Sequence, residues 1–142
     1  MATGDIRIGL NGEFYYGTAG STPSTEAENV DNVVLTISKR TAERIKRKKR
    51  YVTKKVTVTE ATLTFDIVDE EGDAFLAAIT TAAMADTSVA LYALNVAAAS
   101  GGEGLNADWY ITEFTRNESN PEIITYNVSA VLTDEDRDPV WE

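Results

Sequence analysis

The side chains best placed to do chemistry are carboxylates in two runs. Asp69, Glu70, Glu71 and Asp73 form the denser one, and paired carboxylates are the acid and base of glycoside hydrolysis. The competing reading is a solvated helix start, where the positive end of the dipole favours acids, and it is the one adopted. Asp134, Glu135, Asp136 and Asp138 are the second run. They lack the glycine and distal glutamate of a calcium loop, so they read as a solvated acidic tail. Gly101, Gly102 and Gly104 precede neither a lysine–serine pair nor a helix, which rejects a phosphate-cradling loop. The chain has no histidine and no cysteine. The familiar nucleophile triads therefore cannot be built, and imidazole or thiolate metal sites are excluded. Trp109, Tyr110 and Phe114 read as core and sheet aromatics. The expectation is a protein that is not an enzyme and that carries no metal and no cofactor.

Charge is the more informative feature. Ten of the thirteen basic residues lie between Lys39 and Lys55, opposed there only by Glu43, so that segment carries +9. The remainder holds three basic and twenty-two acidic residues, a charge of −19 within a net −10. Three readings of the basic run stand side by side. It is a solvated loop, or a nucleic-acid contact that releases counterions from phosphates, or a self-association element that docks on the acidic face of another copy. The last is favoured, because the body is strongly acidic and no nucleic-acid recognition motif is present. Head-to-tail contacts of that kind generate rings or filaments.

The elements that must position these groups follow from periodicity. At 142 residues, with 43% apolar and 25% charged residues, the chain fits a single globular domain. Asp5–Leu10 and Glu13–Tyr16 flank Asn11-Gly12, a hairpin signal. Gly17–Asn29 reads as a loop and Val30–Ser38 as a strand. Like charges at helical spacing disfavour a helix over Lys39–Arg50, which is expected to be a long, mobile basic loop. Tyr51–Val58 alternates, with Val52, Val56 and Val58 on one side. Ala61, Leu63, Phe65 and Ile67 share a face in the next strand. A helix is expected from Asp73 to about Ala85, packing on the sheet through Phe75, Leu76, Ile79 and Ala83. Ser88–Ala97 is apolar on both faces, which implies burial on both sides or a place between subunits. Asp108–Arg116 and Ile123–Thr133 are two further strands, and residues 134–142 an acidic C-terminal tail. The apolar stretch Ala74–Ala85 is too short to cross a bilayer, and the N-terminal residues lack the regions of a signal peptide. The chain is thus expected to be made and kept in a cytoplasm, or released by lysis. The fold class expected is mainly β with one α-helix.

The order of these elements resembles the major tail tube proteins of tailed bacteriophages, from about Ile6 to Thr133. The likeness rests on the N-terminal hairpin, a strand with a long basic excursion and the alternating Val56-Thr-Val-Thr-Glu-Ala-Thr-Leu-Thr-Phe-Asp-Ile. It continues through the helix Asp69-Glu-Glu-Gly-Asp-Ala-Phe-Leu-Ala-Ala-Ile, the strand Val89-Ala-Leu-Tyr-Ala-Leu, a Gly-rich turn and two closing strands. The resemblance implies a β-sandwich or partial barrel flanked by a helix. It implies hexameric rings stacked into a hollow tube for genome passage, each subunit lending strands to an inner barrel. Lys39, Arg40, Arg44, Lys46, Arg47, Lys48, Lys49 and Arg50 would then form a loop bridging to a neighbouring subunit or ring. The partners implied are copies of the chain and other tail proteins such as tape measure, terminator and baseplate or tip. DNA would slide through an acidic lumen without specific binding, and no membrane is involved. The location implied is the virion tail, assembled in the host bacterial cytoplasm. A tube protein of a contractile injection or type VI secretion apparatus shares that architecture. The alternative from a different class is a nucleic-acid-binding accessory protein acting through the basic segment.

Overall fold

Four residues at period two, Ala61, Leu63, Phe65 and Ile67, are all buried, and their strand runs through an antiparallel sheet. The computed structural model describes residues 12–45, 47–48, 50–95, 102–119 and 123–142. Its strands are β1 (Glu13–Thr18), β2 (Thr25–Glu26), β3 (Val30–Ile45), β4 (Val52–Val68), β5 (Ser88–Leu94), β6 (Leu105–Asn117), β7 (Thr125–Thr133) and β8 (Val140–Trp141). One helix, α1 (Ala74–Ala85), joins β4 to β5. The spatial order is β2-β1-β5-β6-β7-β4-β3, with β8 added to β6. The fold is mainly β with one flanking helix, and within one chain the sheet is open, with β2 and β3 at its edges.

The helix starts and stops for local reasons. The Asp73 carboxylate accepts the Phe75 N–H at 3.1 Å, an N-cap that satisfies one orphan donor. Asp86 takes a left-handed conformation and its N–H returns to the Ala82 carbonyl, closing the C-terminus. Phe75 and Ile79 are buried, Leu76 is half-buried against the core and Ala83 is half-buried; Ala82 is the third fully buried helix residue. Burying Phe75 and Ile79 stabilises by about 2–3 kcal/mol each. Phe75 sits among Phe14, Tyr16 and Phe65, with ring centroids 5.5, 4.8 and 5.8 Å away.

The sheet has two unlike faces. One carries Ala61, Leu63, Phe65 and Ile67 with Val128, Ala130 and Trp109 and forms the core beneath α1. Among the described residues the other is covered only at the β1–β5–β6 end. There Pro23 lies against Gly17, and Gly20 and Arg137 both reach Asp108. This cover explains why β5 is buried on both faces: Val89 and Leu91 point to the core while Ala90, fully buried, lies under it.

Three expectations need correction or relocation. The segment from Lys39 is not a mobile loop, since β3 runs on to Ile45 and β4 begins at Val52. Its register makes the ladder tolerable: Lys39 faces Thr59, Arg40 faces Val58, Arg44 faces Thr53, Lys55 faces Ala42 and Lys54 faces Glu43. Among the described residues no two cations are directly opposed, the arrangement that would destabilise a strand pair. Residues 134–142 do not trail into solvent: β8 pairs with Leu105 and Asn106, and Arg137 is anchored on Asp108. The expected hairpin over Asp5–Tyr16 is half outside the described residues, and its described part is β1. Gly104 has a packing role, because a Cβ there would lie 1.8 Å from the Ala93 carbonyl oxygen.

Candidate assembly surfaces

The β3–β4 pair outgrows the sheet. The last β4 residue paired to β7 is Thr62, opposite Val131, and its β3 partner is Thr36. Nine more β3 residues, 37–45, continue as a two-stranded arm, a projection of about 30 Å at ~3.4 Å per residue. Both faces of this arm are exposed from Thr36 to Ile45 and from Val52 to Glu60. Lys39, Arg40 and Arg44 stand on its first strand, while Arg47, Lys48 and Arg50 are exposed at its turn. Lys46 and Lys49 lie outside the described residues.

A β-bulge sorts the arm's side chains. Arg40 pairs with Val58 and the next residue, Thr41, pairs with Val56, so Thr57 is the extra residue. Directly opposed residues share a face. Below the bulge Val56 and Val52 therefore join Ile37, Thr41 and Ile45 on the prolongation of the core face. Val58 is left on the other side with Arg40, Arg44 and Lys55. The expectation that Val52, Val56 and Val58 share one face is thus corrected: simple alternation missed the bulge. On the apolar side Glu43 and Lys54 pair at 3.3 Å, while Lys39 keeps its charge and donates Nζ–H to the neutral Thr59 Oγ1 at 3.1 Å. On the opposite side Arg40 meets Glu60 at 2.6 Å.

The body is acidic around the arm's base. A half-open groove of about 830 Å³ is lined by Glu26, Glu28, Asp31 and Glu103 above an apolar floor including Phe14 and Leu94, and among the described residues no lysine or arginine lines it. The uncovered sheet face carries Thr62, Thr64, Asn127, Ser129 and Thr115 with the carboxylates Asp66 and Glu113. Among the described residues of β6, β7 and the β4 segment beside them, that face has no basic side chain.

The carboxylate clusters have structural partners. Asn29 Nδ2 donates to Glu70 at 2.6 Å, and Asp73 caps α1. In the C-terminal segment Asp136 accepts from the Ser88 hydroxyl at 3.2 Å. Glu135 accepts from Tyr110, and that bond pushes the phenol's pKa upward, with burial adding to it. Among the described residues no group of acids is arranged to hold a metal ion. Sequence reasoning missed the buried Asp108–Arg137 pair, at 2.9 Å. The signal was there: a lone arginine in an acidic run, and an aspartate beside Trp109 in an apolar strand.

No protein-family model and no curated protein matches the chain. Solved structures do. The tail of an empty gene transfer agent particle, refined helically with sixfold symmetry, is similar over 96% of this chain and 99% of that one, with a TM-score of 0.73 at 10% identity. The SPP1 tail tube is similar over 96% of this chain and 79% of that one, with a TM-score of 0.74 at 8% identity. A sheath/tube terminator structure of an extracellular contractile injection system aligns over 99% of both chains, with a TM-score of 0.66 at 11% identity.

Proposed function

We propose that this chain, which has the fold of phage tail tube proteins, is the repeating subunit of a tail tube. Six copies would close into a ring, and rings would stack into a hollow tube through which a genome passes. The observation that carries the reading is the likeness of fold over essentially the whole chain to tail tube structures, one of them of sixfold symmetry. The physical logic agrees with it. The sheet is open and β3 is a sixteen-residue edge strand, a liability that closing sheets across subunits removes. The uncovered face, hydroxyl-rich and acidic with no cation among its described β6, β7 and adjoining β4 residues, suits a channel wall that gives DNA phosphates little to hold.

In this reading the basic arm bridges to the next subunit or ring, with Lys39, Arg40, Arg44 and Arg47–Arg50 meeting acidic surface. Tape measure, terminator and baseplate or tip proteins are the further partners, and the virion tail, built in the host cytoplasm, is the location. The role is structural and not enzymatic. A tube protein of a contractile injection apparatus is the second reading, favoured by the alignment over 99% of a chain from such a system. Negative-stain electron microscopy of concentrated protein tests the proposal. Rings or hollow tubes are expected. A chain that stays monomeric at every concentration and salt, even with a preformed tail tip added, overturns it.

A further inference from the structure

The arm poses a physical problem of its own. A two-stranded ribbon is at best marginally stable in water, yet this one projects for about 30 Å with four large aliphatic side chains on one side. Ile37, Ile45, Val52 and Val56 are 46, 76, 44 and 52% exposed. They lie on the prolongation of the core face, and the Thr57 bulge brings Val56 and Val52 there. The facing side holds one large aliphatic, Val58, among Arg40, Arg44 and Lys55. The ribbon is therefore amphipathic: an aliphatic stripe with one excess cation, Lys39, on one side, and the larger positive excess on the other and at the turn.

We infer that the stripe Ile37–Ile45–Val52–Val56 is the adhesive surface of the arm and seats on a second copy of this chain. The inference rests on the tube-subunit reading and changes its driving force from charge to apolar burial. Charge identifies the occupant. A segment of +9 is complementary to a body of −19, and the arm extends away from its own body, so the acidic surface it meets belongs to another copy. On the stripe side Glu43 and Lys54 neutralise each other, which leaves Lys39, held on the Thr59 hydroxyl, as the one excess charge to desolvate there or to meet an acid of the second copy. The remaining cations border the contact and set its register, a role in which charge contributes specificity more than affinity.

The test compares two variants that keep strand propensity. Ile45→Thr with Val52→Thr and Val56→Thr erases the stripe; Arg44→Thr with Lys55→Thr erases cations from the other side. Circular dichroism and thermal melts check that both remain folded, and sedimentation and microscopy at low and molar salt read assembly. The stripe variant is expected to raise the critical concentration roughly a hundredfold at either salt. The cation variant is expected to shift it severalfold, and only at low salt. Because the chain has no cysteine, Val56→Cys and Lys55→Cys each carry one environment-sensitive dye. On assembly the dye at 56 should become apolar and shielded while that at 55 stays wet. A wild-type chain that never assembles defeats the tube reading and the inference with it. Wild-type tubes, together with a stripe variant that assembles normally or with both dyes equally wet, overturn the inference alone.

Discussion

Asp108→Ala should be among the most damaging single substitutions outside the aromatic core. The Asp108 side chain is fully buried and accepts the Gly20 N–H at 2.8 Å and Arg137 Nε at 2.9 Å. The Arg137 side chain is only 16% exposed. Removing the acid strands a nearly buried guanidinium and unties both segments that cover the outer face of β5 and β6. Breaking a buried pair from one side costs about 3–5 kcal/mol, which for a chain of this size lowers the melting temperature by about 10–20 °C. Arg137→Ala should cost somewhat less, about 2–4 kcal/mol, since Asp108 keeps the Gly20 N–H. The double change Asp108→Leu with Arg137→Met should recover only part of the loss, because two apolar groups replace two desolvated charges while the Gly20 N–H stays without its acceptor. Urea unfolding of the monomer reports each value through Trp109, which is buried beside Asp108 in the sequence and donates to the Leu91 carbonyl. A loss below about 1 kcal/mol for both single variants is the signature of a solvated surface pair. It would refute the docking of residues 134–142 on the sheet.

Other expectations follow from the same geometry. Replacing Arg47, Lys48, Lys49 and Arg50 with Glu should leave a folded monomer that does not polymerise at low salt, with partial recovery at high salt as repulsion is screened; normal tubes from it at low salt, seen by negative stain, would count against the bridging arm. Gly104→Ala must displace backbone, because its Cβ would lie 1.8 Å from the Ala93 carbonyl oxygen. A thermal melt should show a loss of about 1–3 kcal/mol or more. The Tyr15 hydroxyl donates to Glu13 at 2.6 Å, and that bond, with burial and nearby acids adding to it, pushes the phenol up from 10.0 to about 12. The folded state thus holds this proton more tightly than the unfolded state, so the bond's contribution is intact below pH 10 and is lost as the pH rises towards 12. An ultraviolet phenolate titration should lose one late step in Tyr15→Phe.

Much of the fold is legible in the residues because its signals are local. The alternation Ala61–Leu63–Phe65–Ile67 names a buried strand face, and Asp73 ahead of Phe75 and Ile79 marks the start and inner side of α1. The arm is less legible. Summing ten cations over Lys39–Lys55 suggests repulsion, whereas the register of β3 on β4 decides whether those charges oppose one another. Register is a property of two strands, and no window along one strand contains it.

The same distinction separates composition from contact throughout the molecule. The absence of histidine and cysteine, the split between a basic segment and an acidic remainder, and the spacing of apolar residues are complete in the linear order. They are enough to remove imidazole and thiol chemistry and to favour self-association as the expectation for the basic run. The Thr57 bulge that gathers Ile45, Val52 and Val56, and the pairing of Arg137 with Asp108 across 29 residues, exist only once strands are laid side by side. Both depend on which backbone groups meet and on what is left between them to be desolvated. Those are quantities of the packed chain, set by long-range geometry and not by any residue's own preference.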